Sequence, residues 1–297
     1  MVTPSSGDAA RPATAGRAAS AHGADGSAPA AGDAPLLRLR GIGKSFGPVQ
    51  ALAGVDIDIP AGQVTALVGD NGAGKSTLIK TISGIWEPTS GEILWNGQPV
   101  HLHGPKDATG LGIATVYQDL ALCDNLDIVQ NMLLGHEMLR GGLLDEVNME
   151  LTAKQTLADL RVVSVRSIRQ PVGSLSGGQR QSVAVAKAVM LEAKLVIMDE
   201  PTAALGVTQT ELVLDLIKRL SSRGHAVIVI SHNLNEVFQV ADRIAVLYLG
   251  RLAATGPAAD FDTQSVVELM TTGTSARVAG NGNAGEPASA RGRGTEG

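Results

Sequence analysis

The chain has 297 residues, 44% of them apolar, with 29 acidic against 24 basic side chains and a formal net charge of −5. That composition supplies an ordinary buried core and no basic field of the kind that draws a protein onto nucleic acid. A single cysteine, Cys123, excludes an internal disulfide, and no apolar run approaches the roughly 18–20 residues that a helix needs to cross a bilayer.

Residues 1–34 are rich in Ala, Gly, Ser and Pro, lack an apolar run like that of a secretory signal, and are expected to be disordered. From Leu36 to Pro60 apolar and polar residues alternate, predicting antiparallel strands that end in a Pro60, Ala61, Gly62 turn. Gln63 to Val68 then reads as a strand, Ser76 to Ser83 as a helix, and the residues joining them read GDNGAGKST, that is Gly69, Asp70, Asn71, Gly72, Ala73, Gly74, Lys75, Ser76 and Thr77. Glycines in such a loop let backbone N–H groups cradle phosphate oxygens at a helix N-terminus. Lys75 is placed to reach the β- and γ-phosphates, Ser76 to hold Mg²⁺ and Thr77 to sit near the α-phosphate. This motif points to a nucleoside triphosphatase.

Glu92 to Val100 contains Asn96-Gly97, a hairpin signal, so an antiparallel sheet is expected beside the nucleotide core. From Asp119 to about Ser174 the pattern turns largely helical, most clearly over Leu126–Leu134 and Met149–Leu160. LSGGQ (175–179) precedes a predicted helix over 179–191, and Ser176, Gly177, Gly178 and Gln179 offer a hydroxyl and backbone amides as a second anion site. Leu195 to Met198 reads as a buried strand that delivers Asp199 and Glu200 at its carboxyl end, where ligands of open parallel sheets bind. Asp199 is expected to bind Mg²⁺ and Glu200 to act as general base toward water. Helix 209–222 and strand 226–230 restore a βαβ alternation, His232 follows that strand, and residues 274–297 again look unstructured. The histidines at 101, 103, 136 and 225 form no metal-ligand pattern.

In this order the motifs resemble the ATP-binding cassette (ABC) ATPases over about residues 36–270. The resemblance implies an α/β fold with a P-loop NTPase (RecA-like) core, an antiparallel β subdomain and a helical signature-motif subdomain. The cassette would span 35–273, its helical part about 119–180. The resemblance further implies that Phe46 stacks on adenine, that Gln118 senses Mg²⁺ and the attacking water, and that His232 contacts the γ-phosphate. Ser176 to Gln179 match the signature by which one subunit contacts the nucleotide on its partner's phosphate loop. The cofactors are then ATP and Mg²⁺, and the assembly is a homodimer or a pair with a second cassette. One departure is visible: where the family commonly ends a short loop in Leu-Asp, Ala203, Ala204, Leu205 and Gly206 stand here.

That variant, with VYQDLALCDNL (116–126), ISHNLNEVFQVADRI (230–244) and VVELMTTG (266–273), resembles single-cassette ATPases of bacterial sugar importers of the ribose, xylose or fructose type. It implies a peripheral subunit at the cytoplasmic face of the plasma (inner) membrane, integral-membrane permease partners, an extracytoplasmic solute-binding protein and no nucleic acid. Import of another small solute and a non-transport regulatory ATPase are the alternatives. A GTPase is excluded by the absence of Asn-Lys-x-Asp. The interval between Lys75 and Ser176 leaves no room for the long coiled coil of a chromosome-maintenance ATPase.

Overall fold

The computed structural model describes residues 34–162, 167–203 and 205–276; the tail expected before residue 34, that beyond residue 276, residues 163–166 and Ala204 lie outside them. The strands are Leu37–Phe46 (β1), Val49–Ile59 (β2), Val64–Val68 (β3), Ser90–Trp95 (β4), Gln98–Val100 (β5), Ile113–Val116 (β6), Leu139–Arg140 (β7), Leu143–Leu144 (β8), Leu195–Asp199 (β9), Ala226–Ile230 (β10), Arg243–Tyr248 (β11) and Arg251–Pro257 (β12). The helices are Lys75–Ile82 (α1), Pro105–Leu111 (α2), Ile128–Leu133 (α3), Glu146–Asp159 (α4), Gly177–Met190 (α5), Val207–Ser222 (α6), Leu234–Val240 (α7) and Thr263–Thr272 (α8).

Six strands form the central sheet in the order β12-β11-β3-β10-β9-β6, parallel except for β12. Its central strands are apolar on both faces because both are covered, as parallel sheets require. Val196, Met198, Val227 and Val229 pack with the helical layer that includes α3, α5 and α6. Leu195, Ile197, Ile228 and Ile230 pack on the other side with α1 and with Leu39, Val55 and Ile93 of the antiparallel sheet β2-β1-β4-β5. Asn96 and Gly97, both with positive φ, make the expected turn between β4 and β5.

The stretch read as largely helical contains a correction. Residues 139–144 form a small hairpin, β7–β8, because Gly141 and Gly142 adopt φ of 62° and 85° and supply the two left-handed positions of a tight turn. The helices expected there are present but bounded by caps that periodicity did not locate: Asp127 caps α3 in a reciprocal box with Gln130, and Asp145 caps α4.

Between Gln118 and α3 the chain gathers on the buried side chain of Asn131. Asn131 is 1% exposed; its amide oxygen accepts from Cys123 N–H at 2.7 Å, and its NH₂ reaches the carbonyls of Cys123, Leu126 and Asp127 at 2.9, 3.1 and 3.0 Å. Removing it leaves the part-buried Cys123 N–H without its acceptor, takes a second bond from three carbonyls that otherwise accept from backbone N–H groups, and opens space in the core. Asn131→Ala is therefore expected to destabilise the protein by about 2 kcal/mol, read as a lower urea midpoint; an unchanged midpoint would mean that water takes over these bonds.

Candidate active site

The parallel register brings the motifs together. Leu67, Ile230 and Asp199 lie on one line across the sheet, and Val116 faces Met198. Just past these strands come the phosphate loop after β3, His232 after β10, Glu200 after β9 and Gln118 after β6. All four therefore emerge at the carboxyl edge, where the backbones splay and a ligand fits.

The phosphate loop is shaped by its neighbours. Gly69 has φ 155° and Gly74 φ 103°; a Cβ on Gly69 would lie 2.4 Å from the Leu247 carbonyl oxygen, and one on Gly74 2.9 Å from that of Ala51. Strands β11 and β2 thus press on a loop that only glycine can form. At its end α1 begins with no side-chain cap and no acid in its first turn, whereas α3, α5 and α8 all carry capping boxes. Its first N–H donors are left for an external anion.

Lys75 Nζ donates to the carbonyls of Gly69 and Asp70 at 2.7 and 3.0 Å. Burial lowers its pKa below the ordinary lysine value, opposed by Glu200, Asp70 and Asp199. A half-buried ammonium beside bare helix amides suits a polyphosphate. Ser76, Gln118 and Asp199 carry oxygen donors of the kind a hard divalent cation takes, at the start of α1 and at the carboxyl ends of β6 and β9.

Glu200 has a left-handed backbone, φ 50°, held by its N–H to Ile230 O at 3.0 Å and by Ala203 N–H to its own carbonyl at 3.1 Å. Such a conformation costs a non-glycine residue on the order of 1 kcal/mol and is kept where the surroundings impose it. It brings the carboxylate to His232, whose Nδ1 lies 2.8 Å from Glu200 Oε2. A carboxylate oxygen at this distance accepts from Nδ1–H, which leaves Nε2 as the second ring nitrogen.

Sequence reasoning missed the scaffold around this pair. Glu236 accepts from Thr202 Oγ1 and from Asn233 Nδ2, the latter at 2.8 Å, so one carboxylate spans the segments after β9 and β10. Arg180, in the helix after LSGGQ, pairs with Asp124, downstream of Gln118. No local pattern marks these partners; they lie 34 and 56 positions apart.

The signature residues differ in detail from a bare anion site. Helix α5 starts at Gly177, two residues earlier than periodicity predicts, with Ser176 as its N-cap. Ser176 Oγ accepts from Gln179 N–H at 3.4 Å, and Gln179 Oε1 accepts from Ser176 N–H at 2.9 Å. A hydroxyl that accepts in this way still has its proton to donate. The two glycines also lie in close packing: a Cβ would stand 2.6 Å from Leu205 Cδ2 at Gly177, displacing that side chain's tip, and 3.1 Å from Gln209 Cβ at Gly178. Gly206 itself starts α6 with no side-chain cap. Phe46, at the end of β1, is 41% exposed.

A phosphate loop, an acidic pair, a glutamine and a histidine gathered at adjacent parallel strand ends define a P-loop nucleotide hydrolase. The ABC transporter family model matches residues 52–203. A fructose import ATP-binding protein of Rhizobium meliloti is 45% identical over 244 residues, 80% of this chain and 94% of that protein. A xylose/arabinose import ATP-binding protein of Sulfolobus acidocaldarius is 44% identical over 236 residues, with the same shares. A ribose import ATP-binding protein of Rubrobacter xylanophilus is 44% identical over 237 residues, but the chain spans only 47% of its length. Among solved structures, an ATP-binding cassette of an ABC transporter in its ADP conformation matches with a TM-score of 0.67 at 25% identity, over 82% of this chain and 96% of that one. A dimeric bacterial ABC transporter cassette matches at 0.63 and 26% identity, over 76% and 100%. The chain belongs to the ABC transporter family of ATP-binding cassettes, and it is an ATP hydrolase.

The site is held against the preference of its own charges. Burial, and then the charge of Glu200, raise the Asp199 pKa above the ordinary aspartate value, with Lys75 and Lys80 pulling the other way. A carboxyl raised on folding stabilises the fold below its unfolded pKa, and that contribution is lost as pH rises through the folded value. Asp199 is thus a liability for the nucleotide-free protein at neutral pH. Asp199→Asn is expected to raise its melting temperature at pH 7 and to flatten the pH dependence just above the ordinary aspartate range. A lower melting temperature would show that the carboxylate is already satisfied.

Proposed function

We propose that this chain is the ATP-hydrolysing subunit of an importer that takes up a monosaccharide through a separate integral-membrane permease, fed by an extracytoplasmic solute-binding protein. The observation that carries the ATPase part is the convergence of Lys75, Gln118, Asp199, Glu200 and His232 on one edge of the sheet. The sugar reading draws on the two relatives, named for fructose and for xylose/arabinose import, that this chain covers almost completely.

In this reading Lys75 and the amides of residues 69–77 hold the β- and γ-phosphates, and Phe46 stacks on the adenine. Ser76, Asp199 and Gln118 hold Mg²⁺, which when bound supplies charge neutralisation at the β/γ-phosphate oxygens. Glu200 takes the proton of the attacking water, and His232 keeps that carboxylate in place while its other ring nitrogen meets the γ-phosphate side. Because phosphoryl transfer is mainly positioning and charge stabilisation, a lone half-site is slow. It is completed when Ser176 to Gln179 of a second copy, or of a second cassette, close over the nucleotide.

In this reading the permease is another chain; no helix among the described residues is long and apolar enough to cross a membrane. A cavity of about 280 Å³ beside Gln118, lined by Tyr117, Leu120, Ala121, Ala184, Lys187 and Leu191, offers a concave seat for short cytoplasmic helices of that permease. In this reading the subunit works at the cytoplasmic face of the plasma membrane. Arg180 pairs with Asp124 and so ties the segment after Gln118 to the signature helix, the kind of link this reading asks for between the permease and closure over ATP.

Glu200→Gln is expected to keep ATP affinity within about threefold while turnover falls about a hundredfold or more, measured by calorimetry and phosphate release; unchanged hydrolysis would remove Glu200 from the role of base. Lys75→Ala should instead weaken ATP binding itself. The Glu200→Gln protein, trapped with Mg-ATP in its native host, is expected to co-purify with a permease and a binding protein that retains a monosaccharide. A binding protein for a different solute would replace the sugar reading, and soluble partners alone would replace transport by a regulatory ATPase.

A further inference from the structure

Phe46 does not stand alone. Its ring meets that of Trp86 with centroids 4.7 Å apart and planes inclined at 73°, an edge-to-face contact. Lys44 Nζ lies 5.2 Å from the Phe46 ring centroid and donates to the Glu87 carbonyl at 2.7 Å. Lys80 Nζ lies 4.7 Å from the Trp86 ring centroid. Trp86 is itself fastened to the end of α1, its N–H donating to Lys80 O at 3.2 Å beside that of Ile85 at 2.8 Å. Two further bonds hold the following segment on β1: Thr89 N–H to Gly43 O at 2.7 Å and Ser45 N–H to Thr89 Oγ1 at 3.1 Å.

Helix α1 starts at the phosphate loop and ends close to Trp86, and β1 ends at Phe46. The edge-to-face contact therefore ties the phosphate end of the candidate site to its base end. We propose that Trp86 is a positioning residue for nucleotide-base recognition: it fixes the plane of the Phe46 ring relative to the phosphate loop, so that base stacking and phosphate binding are satisfied by one nucleotide at once. This rests on the reading of Phe46 as the base-stacking residue. Preorganisation of one ring by another contributes affinity without any contact between Trp86 and the phosphates.

The test is calorimetric binding of ATP and of inorganic tripolyphosphate to the full-length protein and its variants. Trp86→Ala is expected to weaken ATP about three- to tenfold, the range of an aromatic pair, leaving tripolyphosphate binding and kcat at saturating ATP unchanged. Trp86→Phe, which keeps an aromatic edge, should restore affinity to within about twofold. In a Phe46→Ala background, Trp86→Ala should add nothing, because it acts through the ring already removed. An equal loss for tripolyphosphate, an additive effect in the double variant, or no effect of Trp86→Ala while Phe46→Ala weakens ATP would each overturn the proposal. If Phe46→Ala leaves ATP affinity intact, the base-stacking reading fails first and this inference with it. The chain supplies its own second readout: of its two tryptophans, Trp95 is 6% exposed, so an emission change on ATP but not on tripolyphosphate reports Trp86 and should vanish in Trp86→Phe.

Discussion

The parallel register of β6, β9, β10 and β3 is the constraint on which the site depends. Three of them, β3, β9 and β10, are buried almost throughout and cannot slip without moving a row of Val, Ile and Leu out of its packing, and β6 is registered against β9. Their carboxyl ends are consequently fixed to within a residue of one another. The chemistry resides in the residues just past each end, so a rigid apolar interior sets positions for polar groups that contribute little to the core. The strained backbone of Glu200 shows the arrangement at work, since its left-handed turn is sustained by a bond to the neighbouring strand end at Ile230.

Around that frame the polar groups are tied in pairs that cross the sequence. Glu236 joins the segments after β9 and β10, Arg180 joins the signature helix to Asp124, and Asn131 closes the loop between Gln118 and α3. The signature glycines fit against Leu205 and Gln209, so the loop after the acidic pair and the signature are packed parts of one surface. Gly206, where the family commonly has Asp, leaves this surface without a carboxylate at that position.

Much of this was legible in the sequence, for identifiable reasons. The phosphate loop, the acidic pair after an apolar strand and LSGGQ are local patterns whose function lies in adjacent residues, and the structure puts each between the elements expected. Strand β6 was not legible, because Ile113–Val116 reads IATV and lacks the continuous run of large apolar residues that marks Leu195–Met198. The β7–β8 hairpin hid in a helical stretch, its sole marker the Gly141-Gly142 pair. The contact between His232 and Glu200 was beyond sequence reasoning too, since it depends on how β9 and β10 pair across 32 positions. Trp86 carries no local mark of its own; its interest lies in a ring contact with Phe46, 40 positions earlier.

The central sheet is asymmetric at its borders. On one side β12 closes it as an antiparallel strand; on the other it stops at β6, which among the described residues pairs only with β9. The groove lined by Tyr117 and Leu120 runs along that border. A strand edge with unpaired backbone groups next to apolar surface is the kind of template on which chains add to one another. If the groove receives the permease as proposed, the surface that takes up that partner is also one open to self-association while the partner is missing.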